Sequence, residues 1–214
     1  MTFETIAIGV VLAYLLGSLP SSVWVGQAYH GIDIRDYGSG NAGATNTFRV
    51  LGRKAGVLVM AMDVFKGLTA VTLATVWMQL GFVPETQIIL VKLIFGISAV
   101  LGHIFPIYIG FRGGKGVAAL LGMVLGINPL AAAICVAVFM IVLLLTRYVS
   151  ISSIMGTLSF PLTLLLTDIQ PNDQILVVFG FIFSIAVIFT HKKNILRILN
   201  GTENKANFRT KKNR

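Results

Sequence analysis

Charge is the scarcest commodity in this sequence. Asp, Glu, Lys and Arg together make up 12% of its 214 residues, against 56% hydrophobic residues, and the mean hydropathy is +0.86. Such a composition lies outside the range of soluble globular domains and makes the bilayer the expected solvent. Acids are rarer still. The eight Asp and Glu are scattered along the chain, so no carboxylate-rich cluster exists to hold magnesium or zinc. The single cysteine, Cys135, excludes an intrachain disulfide and a cysteine metal cluster, and its place inside an apolar run reads as packing. The N-terminus lacks the basic region and small-residue cleavage site of a removable signal, so the first apolar stretch is expected to persist as a helix.

What is present is a series of apolar runs, at 6–25, 55–80, 87–109, 117–127, 129–145, 151–167 and 174–190. A membrane helix needs about 20 mainly apolar residues. The runs therefore predict an all-α integral membrane fold of seven transmembrane helices, with polar loops and re-entrant or short helices on the cytoplasmic side. The 117–127 run is the weakest of them; it is long enough to cross only if the turn at Gly113–Gly116 is itself partly embedded. Residues 1–203 are expected to form one seven-span domain, and residues 204–214 a basic cytoplasmic tail.

The placement of the cations orients these spans. Fifteen of the seventeen Lys and Arg fall after the first, third, fifth and seventh runs, whereas the other connections carry only Glu85, Asp168 and Asp173. By the positive-inside rule this predicts a multi-pass inner-membrane protein with its N-terminus outside and its C-terminus in the cytoplasm. From Lys192 onward eight cations face the single acid Glu203. A juxtamembrane segment of this kind is drawn to anionic headgroups by about 1 kcal/mol per charge, so membrane lipid is the expected partner and nucleic acid is not.

Chemistry is expected where small polar residues gather in the cytoplasmic connections. The richest cluster runs from Gly38 to Asn46 and is followed by Arg49. Its glycines let backbone N–H groups turn toward one point, while Ser39, Asn41, Thr45 and Asn46 add side-chain donors and Arg49 a guanidinium. That describes a cradle for phosphate or carboxylate, particularly if a short helix begins near Ala42; an ordinary polar loop is the alternative. A second cluster, Gly113-Gly114-Lys115-Gly116, places a lysine on a flexible turn, but lacks the Ser or Thr after the lysine that a Walker A loop requires. Ser150 and Ser153 stand one helical turn apart beside Arg147, and His191, Asn194 and Arg197 repeat the three-residue spacing at the end of the last run. Within the second run, Asp63 and Lys66 share a face and are expected to form an ion pair that tethers the loops.

Taken in order, GSGNAGATNTFR, DVFKG, GHIFPIYIGFRGGKGVA, TRYVSISS and HKKNILRILNG closely resemble the bacterial acyl-phosphate:glycerol-3-phosphate acyltransferase family, known as PlsY, from about residue 16 to residue 203. The resemblance implies transfer of a fatty acyl group from acyl phosphate to the sn-1 hydroxyl of glycerol 3-phosphate, the first acylation of phospholipid synthesis, without a metal or cofactor. It implies that Ser39, Asn41, Thr45, Asn46, Gly113, Gly114, Ser150 and Asn194 bind substrate, and that Lys115, Ser153, His191 and Arg49 serve catalysis. Two candidates stand for the base that takes the hydroxyl proton: a substrate phosphate oxygen and His191. The rivals are an anion transporter, whose site normally lies at the midplane on broken helices; an alcohol phosphotransferase, which needs several helix-borne aspartates; and a scaffold, which leaves the polar clusters unexplained.

Overall fold

The computed structural model describes residues 2–166 and 174–206, and every described regular element is helical. Asp168, Asp173 and the cations from Arg209 onward lie outside the described residues. The chain falls into two compact units, Met1–Leu130 and Ala131–Arg214.

The first unit contains α1 (Phe3–Ser18), α2 (Ser21–His30), α3 (Ala44–Val50), α4 (Arg53–Gln79), α5 (Ile88–Ile104) and α6 (Val117–Ile127). The single helix expected over residues 6–25 is broken between Ser18 and Ser21. Pro20 has no N–H to continue the ladder, and it disfavours helical geometry at Leu19. At the break the Leu19 carbonyl accepts both the Ser21 N–H at 3.0 Å and the Lys66 ammonium at 3.1 Å.

Small residues let these helices approach closely, as is usual where lipid gives apolar side chains no reason to prefer one another. A Cβ at Gly9 would enter the Phe95 ring, one at Gly17 the Ala99 backbone, and one at Gly67 the Ala119 carbonyl. One at Gly122 would reach the Val64 carbonyl, so α4 and α6 touch backbone to backbone. Between α1, α4 and α5 the interior is filled by Ala13, Ala70, Ala74, Val91, Phe95 and Ala99.

The second unit holds all but the first two residues of α7 (Pro129–Thr146), with α8 (Val149–Leu166), α9 (Gln174–Thr190) and α10 (Lys192–Leu199). Pro161 lies inside α8 and packs against Gly180 of α9. Arg147, with φ of 61°, makes the tight reversal from α7 to α8. Its carbonyl accepts the Ala206 N–H at 2.7 Å, and Lys205 lies over the Tyr148 ring, so the chain after α10 folds back on this corner.

Among the described residues, five segments are long and apolar enough to cross a membrane: Phe3–His30, Arg53–Gln79, Glu85–Ile109, Pro129–Thr146 and Val149–Leu166. The pair Gln174–Thr190 and Lys192–Leu199, bent by 59°, makes a sixth. The expected seventh rests on α6 alone. Its 11 residues span roughly 16 Å at 1.5 Å per residue, about half the hydrocarbon thickness.

Candidate functional site

In the first unit two loops are folded against each other. The first is shaped from beneath by Asn46. This residue is 1% exposed; its amide oxygen accepts the Ser39 N–H at 2.9 Å, and its amide nitrogen donates to the Ile34 and Tyr37 carbonyls, each at 3.0 Å. Its amide group thereby shapes the loop from within. The loop can close over Asn46 because Gly38, with φ of 62°, has no Cβ to strike that amide. Ser39 is exposed, Asn41 is half-buried with its amide 3.5 Å from the Ser39 hydroxyl, and Thr45 and Arg49 lie one turn apart on the exposed side of α3.

Arg35 braces the loop from the side. It pairs with Asp33 at 2.7 Å and donates to the Ile109 carbonyl at 2.8 Å, joining this loop to the connection that follows α5. The hydrogen bonds from Arg35 hold the Asp33 carboxyl below its ordinary value, against a smaller opposing effect of burial.

The second loop hangs from the end of α5. The last carbonyls of a helix have no partner within it, and here two of them accept glycine N–H groups: Gly113 donates to Ile104 and Gly114 to His103, each at 3.1 Å. A Cβ at Gly113 would strike the His103 carbonyl, and one at Gly114 would strike the His103 ring and lie 2.8 Å from the Ala42 carbonyl. A Cβ at Gly43 would in turn lie 3.9 Å from Gly114 Cα. The two glycine-bearing loops therefore meet at Ala42–Gly43 and Gly114. Lys115, half-buried, stands next to that junction.

In the second unit the organiser is Glu203, a lone acid among cations in the sequence. Its side chain is 5% exposed. One carboxylate oxygen accepts the Asn194 amide at 2.6 Å and the Ser150 hydroxyl at 3.3 Å, and the other accepts Arg197 Nε at 2.7 Å. Burial works against the charged form, but these donors outweigh it and hold the carboxyl below its ordinary value. Ser150 and Asn194 are thus brought together through Glu203. The signal available was that Glu203 is the only acid in a strongly basic stretch.

Ser153, one turn beyond Ser150, donates to the Val149 carbonyl at 2.8 Å, which leaves its oxygen able to accept. His191 is 3% exposed, and its Nδ1 lies 2.8 Å from the Val187 carbonyl. A carbonyl only accepts, so the Nδ1 carries the proton and the lone pair of the neutral ring is on Nε2. Among the described residues, no group of three or more His, Cys, Asp or Glu could hold a metal ion.

The family model described as Glycerol-3-phosphate acyltransferase matches residues 7–201. The chain belongs to the glycerol-3-phosphate acyltransferase family. Glycerol-3-phosphate acyltransferases of Chlorobium phaeobacteroides (strain BS1) and Chlorobaculum parvum are 40% and 41% identical to it. Those matches cover 95% and 93% of this chain and 97% and 95% of theirs. The crystal structure of PlsY, an integral membrane glycerol 3-phosphate acyltransferase, is similar in its glycerol 3-phosphate form, with a TM-score of 0.81 and 34% identity over 95% of this chain and 96% of that one. The lysophosphatidic acid form gives a TM-score of 0.78 at 35% identity over the same shares of the two chains. This acyltransferase is accordingly an all-helical, multi-pass membrane protein of the PlsY type.

Proposed function

We propose that the protein transfers a fatty acyl group from acyl phosphate to the sn-1 hydroxyl of glycerol 3-phosphate, yielding lysophosphatidic acid and inorganic phosphate. The observation that carries this reading is the meeting of the two loops at Gly114, which sets Lys115 beside a loop bearing Ser39, Asn41, Thr45 and Arg49. Both substrates carry phosphate, and a lysine with a guanidinium and clustered donors suits phosphate oxygens. The two forms of the similar crystal structure, with glycerol 3-phosphate and with lysophosphatidic acid, supply the acceptor and the product of the same reaction.

In this reading the sn-1 oxygen attacks the acyl carbonyl carbon, the carbon–oxygen bond to phosphate breaks, and inorganic phosphate leaves. Acyl phosphate is a mixed anhydride, so orientation and charge stabilisation suffice without a covalent enzyme intermediate. Lys115 binds phosphate and offsets charge in the transition state. Arg49, Ser39, Asn41 and Thr45 hold phosphate oxygens, Gly113 and Gly114 allow close approach, and Asn46 shapes the loop. Ser150, Ser153, His191 and Asn194 bind glycerol 3-phosphate. The hydroxyl proton passes to a phosphate oxygen of the substrate; His191 is the competing acceptor. A His191→Ala variant separates the two, because loss of more than about a thousandfold in turnover with unchanged binding assigns the proton to the histidine.

We also propose that α6 completes a seventh span together with the turn before it. Irregular backbone at membrane depth is tolerated where protein satisfies it, and the Gly113 and Gly114 N–H groups are both bonded. The activity is tested by incubating purified protein with palmitoyl phosphate and glycerol 3-phosphate, with Lys115→Ala and palmitoyl-CoA as controls. Phosphate and lysophosphatidic acid should appear in step, only with the acyl phosphate, and drop at least a hundredfold in the variant. Glycerol 3-phosphate binding without transfer from either donor would instead favour a transporter.

A further inference from the structure

Beneath the junction of the two loops lies a buried polar group to which the reaction above gives no task. Asp63, Lys66 and His103 are 2%, 5% and 6% exposed. Asp63 Oδ1 is 3.0 Å from Lys66 Nζ and 3.5 Å from His103 Nδ1. They line a crevice of about 10 Å³, roughly the room of one water molecule, together with Leu19, Pro20 and Gly113. Burying such groups in a membrane protein is costly unless each is paired.

Tethering the broken first helix accounts for Lys66, whose ammonium bonds the Leu19 carbonyl. It does not account for His103. That residue touches Gly114 twice: its carbonyl accepts the Gly114 N–H, and its ring lies where a Cβ of Gly114 would be. The ring thus forms the floor of the loop junction on one side and meets the Asp63 carboxylate on the other. A carboxylate on one ring nitrogen fixes the tautomer and the plane of an imidazole, as carboxylates do for metal-bound histidines.

We propose that Asp63 and His103 are positioning residues for this reaction. Asp63 fixes the His103 ring, and the ring sets the Gly113–Gly114 turn and hence the aim of Lys115 at phosphate. The inference rests on the reading that Lys115 binds phosphate. A displacement of about 1 Å costs up to roughly a hundredfold in rate, so the effect of losing the ring should be large without any contact to substrate.

The experiment compares His103→Ala, His103→Asn and Asp63→Asn in the wild-type and Lys115→Arg backgrounds, assayed with palmitoyl phosphate and glycerol 3-phosphate. His103→Ala should raise the KM for acyl phosphate about tenfold or more and lower kcat, leaving the glycerol 3-phosphate KM within about threefold. His103→Asn keeps an N–H near the place of Nδ1 but lacks the ring atoms that meet Gly114, and should lose nearly as much as His103→Ala. In the Lys115→Arg background, His103→Ala should cost less than about threefold further, because residues acting through one group are not additive.

An unchanged acyl phosphate KM, or full additivity with Lys115→Arg, overturns the proposal. A folded fraction that alone explains the fall in rate does so as well. If His103→Ala does not fold, Asp63→Asn carries the test, and a wild-type KM there is the overturning result. If the wild-type protein transfers no acyl group, the activity assigned above fails by itself. Calorimetry with inorganic phosphate then decides the positioning claim, with about tenfold weaker binding expected in Asp63→Asn and equal binding refuting it.

Discussion

Several single residues in this protein matter for what they hold in place more than for what they present to a substrate. Glu203 collects Ser150, Asn194 and Arg197 around one carboxylate. Its truncation to Ala leaves three donors facing a void, and hydrogen bonds to a charged group are worth roughly 1.5–3 kcal/mol each. Glu203→Ala should therefore lower the thermal midpoint by several degrees and cut turnover, whereas Glu203→Gln, which still accepts, should lose less of both. The sign of the pH effect follows from a folded carboxyl held below its ordinary value. The stabilisation is complete above that ordinary value, about 4.3 for glutamate, and is lost as pH falls through the lowered folded value. Melting curves taken from pH 7 to pH 3 should show the gap between wild type and Glu203→Gln closing only at the acid end. The isolation of Glu203 among cations pointed to it, but its bond to Ser150, 53 residues away, leaves no local pattern in the sequence. Asn46 shows the converse: it stood out as one polar residue in a polar loop, and only the fold distinguishes a donor turned inward from one turned outward.

Helices α4 and α6 show why element identity was easier to read than element ends. Long apolar runs announce spans by composition alone, and six of the predicted runs coincide with candidate spans. What composition does not register is the missing backbone donor at Pro20, which divides the first run into α1 and α2, or the depth to which a short helix is buried. The α4–α6 contact supplies a test at this scale. Gly67 and Gly122 each let the opposing carbonyl approach where a Cβ would stand, and overpacking of that kind costs about 1–3 kcal/mol. Gly122→Ala should lower the thermal midpoint in detergent and, because α6 follows directly from the Lys115 turn, reduce activity as well. A control at Gly81, where an added Cβ meets nothing within 4 Å, faces strain only from its φ of 79°. It should leave turnover near wild type even if stability dips slightly. Equal losses at both positions would mean that the packed glycines are not special.

At the scale of the whole molecule, the described surface carries Phe65, Leu144, Leu145, Leu166 and Phe189 at 64–83% exposure, an arrangement that water would not tolerate and lipid does. The side on which each loop lies then depends on the number of crossings. If α6 crosses with its preceding turn, the loops bearing Arg49, Lys115 and Arg147 and the tail after α9 all share one side, and Glu85 lies on the other. If α6 does not cross, Arg147 and the tail change sides, and two large groups of cations would face opposite compartments. A cation at a helix centre costs roughly 2.5–3.5 kcal/mol, and loop cations resist translocation; anionic inner-leaflet lipid favours each nearby cation by about 1 kcal/mol. The first arrangement is therefore the one expected. A Cys135→Ala background with a single cysteine at Glu85 or at Lys205 decides the matter. An impermeant maleimide added to whole cells should label Glu85→Cys at once and Lys205→Cys only after permeabilisation. Labelling of both from outside would mean an even number of crossings, with α6 confined to one half of the bilayer and the loop junction around Lys115 facing a different compartment from the tail.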